Sequence, residues 1–270
     1  MSPLFNLGYD FLALLGIACI YFAVCWLIAR KLDNWSIVDV AWSYGFALVG
    51  LQMLYLHTTV MPLGGQGLLM ALATIGWSLR LGTHLAVRVL GHLEQEDGRY
   101  VRMRAEAGDG MPGRMAYFYF VQAVALALLC LPLLSSSPQG ATGPVRLIHW
   151  CGLGVVIAAM LIEGWADAQL AAFKKDPANQ GKVCERGLWS WSRHPNYFGE
   201  WLVWVGFLLM SYNSTYRGIP GLACVAIMYY LLNHVTGVPL TEQQLLRSKG
   251  SAYADTQRRV SAFWPWPPRR

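Results

Sequence analysis

The stretch YDFLALLGIACIYFAVCWLIA, Tyr9 to Ala29, contains a single charged residue, and Arg30 and Lys31 follow it directly. About 20 apolar residues are enough for a helix to cross the hydrocarbon core of a bilayer. A cleaved signal peptide carries its basic residues in front of the apolar run, whereas here they stand only behind it. The stretch therefore predicts a retained membrane-spanning helix.

The composition extends this prediction to the whole chain. Of 270 residues, 55% are hydrophobic and 13% are charged, against about 25% charged in ordinary soluble domains. No internal repeat of the kind found in many transporters is visible. We predict an all-α integral membrane protein that forms a single domain over 1–270. Its seven predicted transmembrane helices are at about 9–29, 35–56, 66–90, 115–134, 146–165, 195–212 and 218–238.

Lysine and arginine are unevenly distributed between these spans. Segments 30–34, 91–114, 166–194 and 239–270 hold 17 of the 21. Because cytoplasmic loops are enriched in basic residues, the N-terminus is predicted outside and the C-terminus in the cytoplasm of a multi-pass protein, taken here as one of a bacterial inner membrane. Topology and contact with anionic membrane lipid account for the net charge of +6. We therefore expect no nucleic acid and no obligate protein partner, and no metal-ligand spacing such as CxxC is present.

Polar side chains inside the predicted spans are costly and are functional candidates. With this topology nearly all of them lie in the cytoplasmic half, which favours an enzyme or receptor pocket over a transport pathway. For Arg88, Asn233 and His234, extension of the side chain to the headgroups is an open alternative. The candidates inside the spans are Asp39, Arg80, His84, Arg88, Glu163, Asn196, Glu200, Asn233 and His234.

A second set of polar residues lies in the predicted cytoplasmic segments. Pro195 fits the first turn of a helix, so free backbone N–H groups beside Arg193 and His194 would suit an anion. Cations suit phosphates, and carboxylates and amides suit sugar hydroxyls and a carboxamide. The alternative is an ordinary solvated, basic loop. The set comprises Glu96, Asp97, Arg99, Tyr100, Asp167, Gln169, Lys174, Lys175, Lys182, Arg193, His194, Asn196 and Tyr197.

Three stretches of the second half combine these residues in a recognisable order. They are IEGWADAQLAAFKKDP from Ile162, GLWSWSRHPNYFGEWLVWVGF from Gly187 and SAYADTQRRVSAFWPWPP from Ser251, and DVAW from Asp39 and EDGRY from Glu96 add to them. Together they resemble the steroid 5α-reductase superfamily, in particular its compact bacterial branch. The RHPxYxGE pattern alone is less specific, since isoprenylcysteine carboxyl methyltransferases and sterol reductases carry related forms.

The resemblance implies a seven-helix membrane fold, NADPH held from the cytoplasmic side, and reduction of the 4,5 double bond of a Δ4-3-keto steroid. It places Asn196 and Glu200 near the nicotinamide end and Asp167 on the cofactor. Lys174 and Lys182 fall where the family has basic residues. The predicted cofactor-binding set is Arg80, Arg88, Asp97, Arg99, Tyr100, Glu163, Asp167, Lys174, Lys182, Arg193, His194, Asn196, Tyr197, Glu200, Asn233 and Glu242.

The residues that would hold the substrate carbonyl depart from the family pattern. The animal enzymes carry an adjacent Gln-Glu pair on the second span, whereas here Gln52 is followed by Met53. Asp39 is the nearest acidic candidate. The family's tyrosine position falls near Trp77, with Tyr44 and His84 as possible substitutes. The predicted catalytic set is therefore Asp39, Tyr44, His84 and Glu200.

Hydride delivery to an enone moves negative charge to the carbonyl oxygen, so a hydrogen-bond donor must face that oxygen. A carboxyl such as Asp39 serves only if desolvation keeps it protonated, and otherwise orients a neighbouring donor. Two other readings remain open. One is an S-adenosylmethionine-dependent membrane methyltransferase of the isoprenylcysteine carboxyl methyltransferase type, and the other is a transporter or lipid-binding scaffold. The expected substrate is an apolar enone, in the first instance a steroid.

Overall fold

The computed structural model describes residues 3–59, 64–136 and 144–269, and within these ranges the chain is helical with no β-strand. The predicted all-helical class is confirmed. The chain divides into two compact units, Met1–Arg146 with Ser211–Pro220 and Leu147–Met210 with Gly221–Arg270. The prediction of one domain over 1–270 stays a prediction.

The first unit is built on two pairs of long helices, α2 against α3 and α1 against α5. Aromatic side chains fill its interior. Tyr119 contacts both Phe22 and Trp35 edge to face, with ring centroids 6.3 and 6.4 Å apart, and Phe46 contacts Trp77 at 5.1 Å. Its helices are α1 (Pro3–Leu32), α2 (Ile37–Thr59), α3 (Gly65–Leu90), α4 (Gly98–Ala107), α5 (Met111–Leu129) and α6 (Leu131–Leu134).

The second unit is centred on the packing of α7 against α8. Glycines let the two backbones approach closely. A Cβ atom added at Gly206 would lie 2.8 Å from the carbonyl oxygen of Gly152, and one added at Gly199 would lie 3.1 Å from that of Ala159. Its helices are α7 (Leu147–Lys175), α8 (Pro195–Met210), α9 (Ile219–Tyr230), α10 (Val238–Lys249) and α11 (Ser251–Arg259).

Three predicted spans differ from the helices of the structure for identifiable reasons. The fifth predicted span ends at residue 165, but α7 continues to Lys175, because ADAQLAAFKK contains only helix-compatible residues and its two lysines favour a helix C-terminus. The fourth is divided, since Pro132 cannot continue the hydrogen bonding of α5. In the seventh predicted span, 218–238, the α-helix α9 ends at Tyr230 and passes into a π-helix, Leu231–Val235, before Pro239.

Among the residues that the structure describes, five helical stretches are long and apolar enough to cross a membrane: Asn6–Leu32, Ile37–Leu56, Gly98–Leu134, Leu147–Lys175 and Ile219–Lys249. This composition fits a multi-pass integral membrane protein. Helices α3 and α8 are not among the five. Helix α8 has only 16 residues, and α3 carries the polar stripe of Arg80, His84 and Arg88. Seven spans and the orientation of the termini therefore stay predictions.

Candidate functional site

In the first unit, Asp39 lies in the first turn of α2 and is the centre of a polar cluster. Its Oδ2 accepts a hydrogen bond from Arg99 Nη2 at 2.6 Å, and its Oδ1 accepts one from the Tyr100 hydroxyl at 2.9 Å. Arg88 Nη2 lies 3.9 Å from the same carboxylate. Both oxygens thus face donors from elsewhere in the unit. This is the geometry of a carboxylate that orients neighbouring groups, one of the two roles that the sequence leaves open.

Asp97 fixes the start of α4 beside this cluster. Its carboxylate caps the helix by accepting the Arg99 backbone N–H at 3.0 Å, and it also accepts the Arg99 Nε–H at 3.0 Å. Its own N–H donates to Ser36 Oγ at 2.9 Å. Partial burial raises the pKa of Asp97, but the hydrogen bonds and charge of Arg99 outweigh burial and hold that pKa below its usual value. The EDGRY motif is thereby anchored to the beginning of α2.

An open groove of about 680 Å³ runs along α3 in the same unit. All of its lining residues belong to α3, so the groove is a shallow depression along one face of that helix. Its apolar members include Leu79 and Val87, which are 46% and 70% exposed. The groove is lined by Leu79, Arg80, Thr83, His84, Val87 and Arg88.

Tyr44 reaches the edge of this groove from α2. A Cβ atom at Gly82 would lie 2.7 Å from the Tyr44 ring, so the ring lies directly on the glycine. The Tyr44 hydroxyl is 3.0 Å from Thr83 Oγ1, which lines the groove next to His84. Tyr44 and His84 are therefore brought to one surface, and Arg88 connects that surface to Asp39.

In the second unit, Glu242 on α10 accepts hydrogen bonds from four side chains. Its Oε1 lies 2.6 Å from Arg193 Nη2, 3.3 Å from His194 Nε2 and 3.3 Å from the Tyr253 hydroxyl, and its Oε2 accepts from Gln257 Nε2 at 2.8 Å. We call these five residues the Glu242 cluster. The cluster joins the start of α8 to α10 and α11.

Arg193 is saturated by groups of its own unit. Its Nε donates to Glu242 at 2.7 Å, and its Nη1 donates to the backbone carbonyls of Gln257 and Val260 at 3.0 and 2.5 Å. Its side chain is only 9% exposed. The guanidinium therefore ties elements together, and the anion that the sequence suggests at this helix start would have to be held by other donors.

His194 is buried beside Arg193 with its ring stacked on Tyr197, at 5.2 Å between centroids. Burial lowers the pKa of His194, and the positive charge of Arg193 acts in the same direction. The contact with Glu242 opposes both without reversing the shift. The imidazole is therefore neutral at neutral pH.

A polar ladder connects α7 and α8. Glu163 and Asp167 are four residues apart on one face of α7, as Asn196 and Glu200 are on α8. Asn196 Nδ2 donates to Asp167 Oδ1 at 3.2 Å. Glu163 and Glu200 are 4% and 8% exposed, and Glu200 Oε1 accepts from the Trp204 indole at 3.3 Å. Two carboxyl groups are thus buried in an otherwise apolar helix pair.

The remaining predicted residues of this unit lie apart from the ladder. Lys174, in the last turn of α7, and Lys182 in the following loop are exposed. The Tyr197 hydroxyl is 2.9 Å from Thr241 Oγ1. Asn233, within the π-helix, donates to the carbonyl of Tyr229 on its own helix at 3.0 Å. Exposed lysines can meet an anion from solvent, whereas the Asn233 amide is engaged locally.

A family model matches residues 25–260, which includes all these clusters, and its description reads protein of unknown function (DUF1295). The chain belongs to this family. No solved structure matches the chain.

Two curated relatives share parts of this DUF1295 chain. It is 27% identical over 209 residues to the uncharacterized protein C594.04c of Schizosaccharomyces pombe, covering 70% of this chain and 60% of the relative. It is 30% identical over 114 residues to the steroid 5-alpha-reductase DET2 of Solanum lycopersicum, covering 42% of this chain and 41% of the relative. The chain thus spans less than two thirds of the length of either relative.

Several contributors in this DUF1295 chain are absent from the sequence-based candidates. Gln257 and Tyr253 complete the shell of Glu242, and Ser36 holds Asp97. Buried Ser192 accepts the His194 N–H at 3.1 Å. Only Ser192 carries a local signal, since a serine hydroxyl commonly accepts the backbone N–H two residues further along the chain, here that of His194 just before α8. The others act across long sequence separations that a local pattern does not contain.

Proposed function

We propose that this chain is a membrane oxidoreductase that uses NADPH to reduce the 4,5 double bond of Δ4-3-keto, steroid-like substrates. The observation that carries the proposal is the α3 groove of the first unit, where an apolar wall meets Tyr44, His84 and two arginines. The similarity to the tomato steroid 5-alpha-reductase supports the same reaction class.

The groove residues supply what an enone needs. Addition of a hydride to the β-carbon moves charge to the carbonyl oxygen, and the ketone re-forms when the α-carbon takes a proton. Tyr44 and His84 are the side chains that would donate to that oxygen, and such donors commonly contribute a rate factor of about 10² to 10³. Asp39, which accepts from Arg99 and Tyr100 and lies 3.9 Å from Arg88, is assigned a positioning role.

The donor set of the second unit fits a dinucleotide. NADPH supplies the hydride when bound, and the protein supplies orientation and exclusion of water. Lys174 and Lys182 are exposed and would hold phosphates, and the half-buried pair of Asp167 and Asn196 offers an acceptor and an amide. Glu200 is assigned to the nicotinamide end. Arg193 and His194 would act on the cofactor indirectly, through the start of α8.

The test follows the absorbance of the reduced nicotinamide in purified protein in mild detergent, with NADPH and either progesterone or testosterone. We expect steroid-dependent loss of absorbance and a 5α-reduced product. Tyr44→Phe and His84→Gln should each lower kcat at least about tenfold. The matched control is Tyr55→Phe, because Tyr55 is an exposed tyrosine on the same helix. If NADPH were not oxidised and the protein bound S-adenosylmethionine instead, the proposed reductase would be rejected in favour of a methyltransferase.

A further inference from the structure

The C-terminal strap, residues 260–269, folds back along the start of α8. Backbone hydrogen bonds hold it along its length: Arg193 N donates to Ser261 O at 2.8 Å, Trp266 N to Trp191 O at 2.9 Å, and Arg269 N to Arg259 O at 2.9 Å. The strap is thus a fixed part of the second unit.

The tryptophans of the strap are anchored on one side and exposed on the other. The Trp264 ring lies 5.1 Å from Trp201 and 6.0 Å from Tyr229, yet Trp264 is 47% exposed. Trp266 and Trp191 are 70% and 49% exposed. Tryptophan is enriched where a membrane meets water, since its ring is apolar and its N–H is polar. These residues flank the first turn of α8, where an apolar helix begins.

A cationic cavity of about 520 Å³ lies between the strap and the end of α11. Four arginines line it. Arg193 is committed to Glu242, and Arg259 is paired with Glu185 at 2.9 Å. Arg258 contacts Asp255, but these side chains are 77% and 54% exposed, and ion pairs so exposed contribute little. Arg258 and Arg269 are therefore the cations with most freedom to meet an anion, and none of the described residues that line the cavity is acidic.

We propose that this cavity binds the phosphate-bearing headgroup of an anionic phospholipid from the leaflet that meets the strap. Arg258 and Arg269 pair with the phosphate, and Trp264 and Trp266 contact the glycerol and upper acyl region. Indoles on the cavity wall favour a lipid over a free anion, since a soluble phosphate gains nothing from them. The proposal is independent of the reductase assignment.

The test uses quenching of tryptophan fluorescence by brominated phosphatidylglycerol and brominated phosphatidylcholine added to detergent-purified full chain. We expect tighter binding of phosphatidylglycerol. The double variant R258Q/R269Q should weaken that preference about fivefold or more, since one basic side chain near an anionic surface contributes on the order of a fivefold factor. The charge-matched control is R247Q/K175Q, because both residues are exposed on the same unit and neither lines the cavity.

Two further measurements separate a site from general attraction. W266F should remove part of the phosphatidylglycerol-dependent quenching while the melting temperature stays unchanged. Inorganic phosphate at millimolar concentration should fail to displace the brominated lipid. Equal quenching by the two lipids, an equal loss in R247Q/K175Q, or displacement by free phosphate would each overturn the proposal.

Discussion

At the scale of single residues, Glu242 is the group on which the start of α8 depends. Removal of one partner from a buried ion pair leaves the other charge uncompensated and costs about 3 kcal/mol. Glu242 and Arg193 have side chains 14% and 9% exposed. We therefore expect Glu242→Gln to lower the apparent melting temperature by about 5 to 10 °C in detergent.

The matched control for this variant is Glu106→Gln. Glu106 pairs with Arg114 at 3.2 Å, but the two side chains are 64% and 44% exposed. An exposed pair contributes about 0 to 1 kcal/mol, so the melting temperature should hardly change. If the melting temperatures of both variants changed equally, the buried ion pair of Glu242 would contribute no more to stability than the exposed pair of Glu106.

His194 gives the second unit a pH dependence of known sign. Its folded-state pKa lies below the unfolded value of 6.5, so the unfolded chain binds more protons as the pH falls below about 6.5. Stability is therefore fully present above that pH and is lost as the pH falls toward the folded pKa. We expect the melting temperature to fall between pH 7 and pH 5, and His194→Gln to flatten this dependence.

The groups that face His194 are Arg193, Glu242 and the ring of Tyr197. His92→Gln is the control, because His92 is exposed in a loop of the other unit. If His92→Gln flattened the pH dependence of the melting temperature equally, or if His194→Gln did not flatten it, a group other than His194 would be responsible for that dependence.

The sequence identifies polar residues of this chain better than it identifies their partners. Asp39, Arg99 and Tyr100 are all predictable as candidates, because charge inside an apolar chain is conspicuous. Their contact, across 60 and 61 residues, is set by how α4 folds back on α2, which no local period encodes. The saturation of Arg193 by backbone carbonyls is hidden in the same way.

At the scale of elements, the seam between α7 and α8 depends on glycine. Gly206→Ala would place a Cβ atom 2.8 Å from the Gly152 carbonyl oxygen and 2.5 Å from Val156 Cγ2. Because a backbone carbonyl cannot move away independently, the helices must separate. We expect a lower melting temperature for this variant in detergent.

Gly154→Ala on α7, the other helix of the seam, is the control. A Cβ atom there meets nothing within 4 Å, and alanine is favoured over glycine in a helix by about 0.5 to 1 kcal/mol. Its melting temperature should stay the same or rise. If both variants had the same melting temperature, close packing of the two backbones at Gly206 would not be what stabilises this helix pair.

Element boundaries follow two different physical rules, which explains where prediction from sequence fails. Hydropathy limits the fifth span to residue 165, because Asp167 and Lys174 are polar. Hydrogen bonding continues α7 to Lys175 regardless of polarity. The π-helix at Leu231–Val235 has no hydropathy signal at all, since it changes the hydrogen-bond register and not the side-chain pattern.

At the scale of the whole molecule, the distribution of lysine and arginine predicts an outside N-terminus and a cytoplasmic C-terminus. Fusions of alkaline phosphatase after Gln95, Gln180 and the last residue should be inactive in a bacterial host, and a fusion after Ser214 should be active. Green fluorescent protein at the same sites should give the opposite pattern. An active phosphatase fused after Gln180 would show that the chain has the opposite orientation to the predicted one.

The long reach of the Arg193 contacts also matters while the chain is being made. Val260, whose carbonyl accepts from Arg193, follows it by 67 residues. At about 5 to 20 residues per second, the ribosome needs roughly 3 to 13 s to deliver that partner. Until Glu242 and then Val260 have been synthesised, these N–H groups of the guanidinium have to be solvated by water, so the start of α8 has to remain accessible to the aqueous phase until the strap arrives.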